Sequence, residues 1–144
     1  MTAQAQPTGA TTLETGILVC GAGAAGLLTG LALAQAGVDV IVAGPAPVAA
    51  NGRTVALFDG SIRFLESLGV WERASADAAS LSVMRLIDDT GSLFRIPPVE
   101  FRASEIGLDR FGANIETHVL VRHLLEAAQR QPNLRLLPEL LDDF

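Results

Sequence analysis

Two short apolar runs flank a Leu- and Ala-rich stretch near the start of the chain. The run Ile17-Leu18-Val19-Cys20 is brief and largely branched, which predicts a buried parallel strand. Residues 27–36 place Leu27, Leu28, Leu31, Ala32 and Ala34 on an apolar helical face, and Gly37 follows where a helix favours a left-handed stop. Residues 38–43 form a second β-branched run. Strand, helix and strand in that order predict a right-handed βαβ crossover and an α/β fold.

Further along, residues 44–52 hold Pro and Gly among small residues and predict a loop, from which Arg53-Thr54-Val55-Ala56-Leu57 emerges. Residues 60–68 predict a helix capped by Ser61, with Ile62, Leu65 and Leu68 inward and Gly69 as its stop. Val70 and Trp71 are expected to tuck against that helix end, before a short helix or connection over 73–80. Residues 81–88 alternate, predicting one strand of an antiparallel layer, partly covered on both faces. Residues 88–92 read as a hairpin turn, 93–96 as its return strand, and Ile106 and Leu108 as candidates for another short strand. Residues 117–129 predict a second clear helix with Val121, Leu124, Leu125 and Ala128 inward, and 134–137 a third parallel strand.

Candidate chemistry concentrates between the first strand and the first helix. Gly21-Ala22-Gly23-Ala24-Ala25-Gly26 is a full match to G-x-G-x-x-G. Gly21 permits the tight turn, Gly23 lets a pyrophosphate approach bare backbone, and Gly26 lets the helix pack close to the strands. The phosphate then meets free N–H groups and the positive end of the helix dipole. An acid normally ends the second strand about 20 residues on and bonds the adenosine ribose. That place falls at Ala43-Gly44, and Asp39 comes too early to serve. The missing acid implies weaker adenosine binding, or a ribose held by backbone and Arg53 instead, or, with Arg53 standing without an acid, a 2′-phosphate site of the NADP kind; all three readings stay open.

Composition narrows the classes. With 144 residues, 49% hydrophobic and 18% charged, the chain is long and apolar enough for a real core. A net charge of −6 argues against nucleic acid as a partner. Cys20, the single cysteine, excludes an internal disulfide and a thiolate metal cluster, and is expected to be a small core residue. His118 and His123 are five apart, share no helix face and make a poor metal pair. The acid pairs Asp88-Asp89 and Asp142-Asp143 read as turn and tail, and no G-x-S-x-G elbow is present. Residues 1–15 lack the basic and apolar regions of a leader and predict a disordered tail. No apolar stretch reaches spanning length, so a soluble, cytoplasmic protein is expected.

Taken together, the glycine turn, the segment Gly52-Arg53-Thr54-Val55-Ala56-Leu57 and the segment from Ser61 to Trp71 resemble flavin-dependent aromatic-ring hydroxylases, with the strongest likeness to the ubiquinone-biosynthesis branch. The strand pair over 84–96 and the helix from Thr117 fit the same order, so the resemblance runs from residue 16 to the end. It implies a Rossmann-like, glutathione-reductase-like FAD-binding domain with an inserted antiparallel β-layer, the layer starting at about 81–112. It also implies FAD as cofactor, NAD(P)H as reductant, O₂ as co-substrate and a small aromatic substrate such as a prenylated phenol. Peripheral membrane or multi-enzyme association is compatible with it. Gly21, Ala22, Gly23, Ala24, Ala25, Gly26, Gly44, Arg53 and Thr54 are the implied cofactor-binding residues, with Thr117 near a polar family position and no catalytic residue assignable. The chain departs from the family at Gly44, which replaces the ribose-binding acid, and at Ala24, where proline is common. The family's later Gly-Asp motif is absent, so an N-terminal piece of a larger hydroxylase is expected. The rival expectations are a small NADP-binding reductase and an inactive truncated fragment.

Overall fold

The structure is a computed structural model and describes residues 13–45, 50, 52–91 and 95–139. In chain order the elements are β1 (Ile17–Cys20), α1 (Ala24–Gln35), β2 (Val40–Ala43), β3 (Thr54–Phe58), α2 (Asp59–Ser67) and α3 (Trp71–Ala74). They continue with β4 (Ala78–Leu81), β5 (Val83–Leu86), β6 (Val99–Arg102), β7 (Gly112–Glu116), α4 (Thr117–Ala128) and β8 (Leu134–Leu137). Short 3-10 turns cover Ser75–Asp77 and Ala103–Ile106.

The parallel layer has the order β1-β2-β8. Ile17 pairs with Val40 and Cys20 with Ala43 on one side of β2, while Val40 pairs with Leu134 and Ala43 with Leu137 on the other. All of β2 is buried, as a strand must be when both its edges are paired and a helix covers it. Helix α1 contributes Leu27, Leu31 and Ala34 to the core, and α4 contributes Leu120, Val121, Leu124, Ala127 and Ala128. Gly30 lies on the same face of α1, and a Cβ there would stand 2.5 Å from Val42 Cγ2, so the missing side chain lets helix and strand approach.

Asn133 clamps the amino-terminal edge of this layer. Its side-chain amide donates to the carbonyls of Ala34 and Val38, both at 2.8 Å, and its own carbonyl accepts from Val40 N at 2.9 Å. The carboxyl ends of α1 and α4 therefore meet at one edge. Each helix has 12 residues, a length of about 18 Å, so both amino termini reach the opposite edge, where β1, β2 and β8 end.

A second sheet, β3-β7-β4, is antiparallel, with Thr54 opposite Glu116 and Phe58 opposite Gly112. A Cβ on Gly112 would stand 2.1 Å from the Leu57 carbonyl, so this crossing also needs glycine. Strands β5 and β6 form a separate antiparallel pair, Val83 opposite Arg102 and Leu86 opposite Val99.

The mixed α/β fold and the crossover stand as expected, and several local expectations are corrected. Strand β1 is the edge of its sheet, and Ile17 and Leu18 are 38% and 41% exposed rather than buried. Cys20 is exposed for the same reason and is not a core residue. Ser61 does not cap α2; the helix starts at Asp59, whose carboxylate pairs with Arg63 one turn on. The alternation over 81–88 is split at Ser82 into two strands of different sheets, and β5 is exposed throughout. Its partner is β6, not the expected return strand over 93–96, of which 93 and 94 lie outside the described residues and 95 and 96 are irregular. Asp88 holds that longer connection by accepting from Thr90 N, Thr90 Oγ1 and Ile96 N. Ile106 ends a 3-10 turn closed by Gly107 at φ +73°, and Leu108 is in no strand. The expected tail falls outside the described residues as far as 12, and most of the expected loop over 44–52 does so as well.

The two histidines serve different neighbours. His123 is 11% exposed and shares a 2.8 Å hydrogen bond through Nε2 with the Asp77 carboxylate, which also accepts from Arg122 at 3.2 Å. These bonds tie α4 to the turn after α3. The His123 bond, joined by charge attraction from His123 and Arg122, holds the Asp77 carboxyl below the usual carboxylate range. A carboxyl depressed on folding stabilises the fold above its unfolded value, about 3.9, and loses that contribution as pH falls through the lower folded value. Asp77→Asn is therefore expected to lower the melting temperature at pH 7 and to flatten its decline in acid, read by circular dichroism melts from pH 7 to pH 2.

Candidate functional site

The site is built at the carboxyl edge of the parallel layer. Gly21 leaves β1 at φ +108°, and its N–H donates to the Ala43 carbonyl at 2.6 Å, carrying the β1–β2 ladder one residue past the strand. The buried Ala22 follows, and Gly23 stands at the N-cap of α1 in extended conformation. The Gly23 carbonyl accepts the first helical bond from Leu27 N at 2.9 Å. No side chain caps this end and no acid lies in its first turn. The leading N–H groups of α1, those of Ala24, Ala25 and Gly26 among them, thus keep their donors for a group outside the helix.

Each glycine has its own constraint. A Cβ on Gly26 would lie 1.8 Å from the Gly21 carbonyl oxygen, so the helix sits directly against the turn. A Cβ on Gly23 would meet nothing within 4 Å, so that glycine is not required by the protein's own packing. The clear space beside it is what an approaching phosphate needs. Gly44 ends β2 at φ +130°; it is buried, its N–H donates to the Leu137 carbonyl at 2.8 Å, and a Cβ would stand 3.3 Å from both Ala22 N and Gly21 Cα. Gly44 is thereby part of the wall of the turn.

The amino terminus of α4 reaches the same edge. Thr117 N donates to the Arg53 carbonyl at 2.9 Å, and Thr54 opens β3 opposite Glu116. Arg53 and Thr54, both exposed, therefore stand beside the first turn of α4. His118 Nδ1 lies 3.2 Å from a Glu116 carboxylate oxygen, within ion-pair distance but without hydrogen-bond geometry. The structure thus groups Gly21 to Gly26 with Gly44 by direct packing, and brings Arg53, Thr54 and Thr117 together at the neighbouring helix end. Sequence reasoning missed Gly30, whose signal was its place one helical turn beyond Gly26.

Beyond β3 lies an apolar cavity of about 350 Å³, lined by Ala56, Phe58, Leu81, Val83, Met84, Leu108 and Phe111. Its volume is that of a small-molecule pocket.

A protein-family model described as an FAD binding domain matches residues 14–137. The chain belongs to this FAD-binding family. The match covers both the glycine turn and the Arg53 segment. Solved structures agree on the fold. A variant of PqsL from P. aeruginosa is 20% identical with a TM-score of 0.70, covering 85% of this chain and 33% of its own. The p-nitrophenol 4-monooxygenase PnpA of Pseudomonas putida DLL-E4 is 22% identical with a TM-score of 0.64, covering 85% and 30%. The flavin-dependent monooxygenase PieE, solved with FAD and substrate, is 22% identical with a TM-score of 0.68, covering 89% and 24%. The chain thus spans a third or less of the length of these structures. No match was found among curated protein sequences.

The residues present fit the dinucleotide part of FAD. A bare helix terminus supplies donors, the space beside Gly23 admits a phosphate, and Gly26 and Gly44 hold the turn in shape. Among the described residues no group of His, Cys, Asp and Glu could hold a metal ion, and no helix is long and apolar enough to cross a membrane.

Proposed function

We propose that this chain is the FAD-binding portion of a flavin-dependent monooxygenase that hydroxylates a small aromatic compound. The observation that carries this reading is the uncapped α1 terminus within the Gly21–Gly26 turn, in a chain matched as an FAD binding domain over 14–137. In this reading the N–H groups at the start of α1 hold the pyrophosphate, with Gly21, Ala22, Gly23, Ala24, Ala25, Gly26 and Gly44 forming the cradle. Arg53 binds a phosphate oxygen by a charge-assisted hydrogen bond, and Thr54 and Thr117 offer hydroxyls beside it. Reduction, and activation of O₂ for ring hydroxylation, is the chemistry that bound FAD supplies. The protein's part is to orient the cofactor and keep water from it.

The apolar cavity against β3 supports an aromatic partner, since its lining is Phe, Leu, Val, Met and Ala without a charged side chain. Strands β5 and β6 are then the start of a substrate-domain layer, as proposed for 81–112. NAD(P)H as the reductant, a ubiquinone precursor as the substrate and a cytoplasmic setting complete the reading. They rest on the likeness of the Arg53 segment and the 61–71 helix segment to the ubiquinone-biosynthesis hydroxylases.

The test is the absorbance spectrum of the purified chain after incubation with excess FAD and desalting. Retention of a flavin band near one equivalent supports the reading; loss of all flavin at concentrations where the chain is folded sinks it. Arg53→Ala is expected to weaken FAD about tenfold or more, the worth of one charge-assisted hydrogen bond. Flavin fluorescence titration measures it.

A further inference from the structure

We infer that Gly44 makes this site indifferent to the adenosine 2′-hydroxyl of the dinucleotide it binds, an inference that rests on the FAD reading above. In the usual arrangement a carboxylate at the end of the second strand accepts a hydrogen bond from that hydroxyl. Here the position is closed to one by backbone as well as by residue type. Gly44 has φ +130°, which L side chains rarely adopt, and it is buried with Ala22 N and Gly21 Cα 3.3 Å from where a Cβ would stand. Any side chain would press on the turn that cradles the pyrophosphate.

In the segment that follows β2 no acid replaces it, and Glu139, two residues past the Leu137 carbonyl that pairs with Gly44 N, stands exposed beyond the end of β8. Between Asp39 and Asp59 the chain has no Asp or Glu. The Asp39 carbonyl accepts from Gly16 N and Ile17 N at the amino-terminal edge of the layer, at the opposite end of β2 from Gly44 and about 16 Å from it. The Asp59 carboxylate is paired with Arg63. Glu116 lies 3.2 Å from His118 Nδ1, beside Arg53 and Thr54. The grip on the adenosine half of the ligand therefore comes through its phosphates, from the α1 terminus and Arg53, and not through the ribose diol.

The 2′-hydroxyl can be removed without adding bulk, which makes the test clean. The whole 144-residue chain is titrated, by quenching of flavin fluorescence, with FAD and with the FAD analogue that lacks the adenosine 2′-hydroxyl. The two are expected to bind within about twofold of each other. A carboxylate–hydroxyl bond is worth about tenfold or more, so a loss of that size on the analogue overturns the inference while leaving FAD binding itself established. Failure of both ligands to bind overturns the FAD reading and this inference with it.

Discussion

Gly26→Ala is expected to lower the melting temperature by roughly 10 °C, the largest stability loss of any single methyl group added to the glycine turn. The added Cβ would stand 1.8 Å from the Gly21 carbonyl oxygen and 3.0 Å from its carbonyl carbon. Both atoms belong to backbone that is itself fixed, because Gly21 N donates to Ala43 O at the end of the β1–β2 ladder. Relief requires moving α1 off the sheet or unpairing that ladder. Overpacking commonly costs 1–3 kcal/mol, and a clash with backbone belongs at about 3 kcal/mol; for a chain of this size each kcal/mol is worth roughly 3 °C. Gly30→Ala makes the comparison, since its nearest obstacles are side-chain atoms, Val42 Cγ2 at 2.5 Å and Leu134 Cδ1 at 3.3 Å, rather than backbone. Its loss is expected to be about a third as large, near the low end of the overpacking range. Thermal melts by circular dichroism read both. Equal losses for the two variants would sink the claim that backbone contact at Gly26 governs the packing of α1.

The contrast between those two glycines shows which parts of the fold periodicity and motif could carry. The crossover was legible because β1, α1 and β2 each state their type locally: branched runs for the strands, Leu and Ala for the helix, Gly37 for the stop. The buried face of α4 was legible for the same reason, with Val121, Leu124 and Ala128 buried as the spacing predicts. What the pattern could not carry is which strand lies beside which. The run Ile17-Leu18-Val19-Cys20 has the composition of a central strand but forms a sheet edge, because strand order is decided by how α1 and α4 carry the chain to either side of β2. The alternation over 81–88 failed in a related way. A strand that changes sheets at Ser82 keeps its period of two, so the break is invisible until the partners, β7 on one side and β6 on the other, are known.

The site was more legible than the sheet around it, since its chemistry is held in backbone conformations that glycine announces. Gly21 has the positive φ angle that its tight turn calls for, whereas the positive φ of Gly44, read from sequence only as the place of a missing acid, was not foreseen. The placement of Arg53 at the start of α4 was not legible from spacing, because it depends on the pairing of Thr54 with Glu116 across 62 residues of chain. Local sequence carries no signal for a contact of that separation.

Gly23→Val is expected to weaken FAD at least about a hundredfold while shifting the melting temperature of the free protein by only a few degrees. Two features separate the effects. Gly23 has φ −75° and extended ψ, a conformation open to any L residue, and a Cβ there meets nothing of the protein within 4 Å. Valine is a poor N-cap, so about 1 kcal/mol of stability is lost. In the complex the same methyl groups would occupy the space through which the pyrophosphate reaches the N–H groups at the start of α1. Displacing it forfeits charge-assisted hydrogen bonds worth about 1.5–3 kcal/mol each, and the loss of two accounts for the hundredfold. Gly26→Ala, by comparison, should weaken FAD only along with its loss of fold, so the two variants distinguish a glycine kept for the ligand from one kept for packing. Fluorescence titration beside a thermal melt gives both numbers on one sample. A Gly23→Val protein that melts normally and still binds FAD within about threefold of the parent would place the pyrophosphate elsewhere on the carboxyl edge.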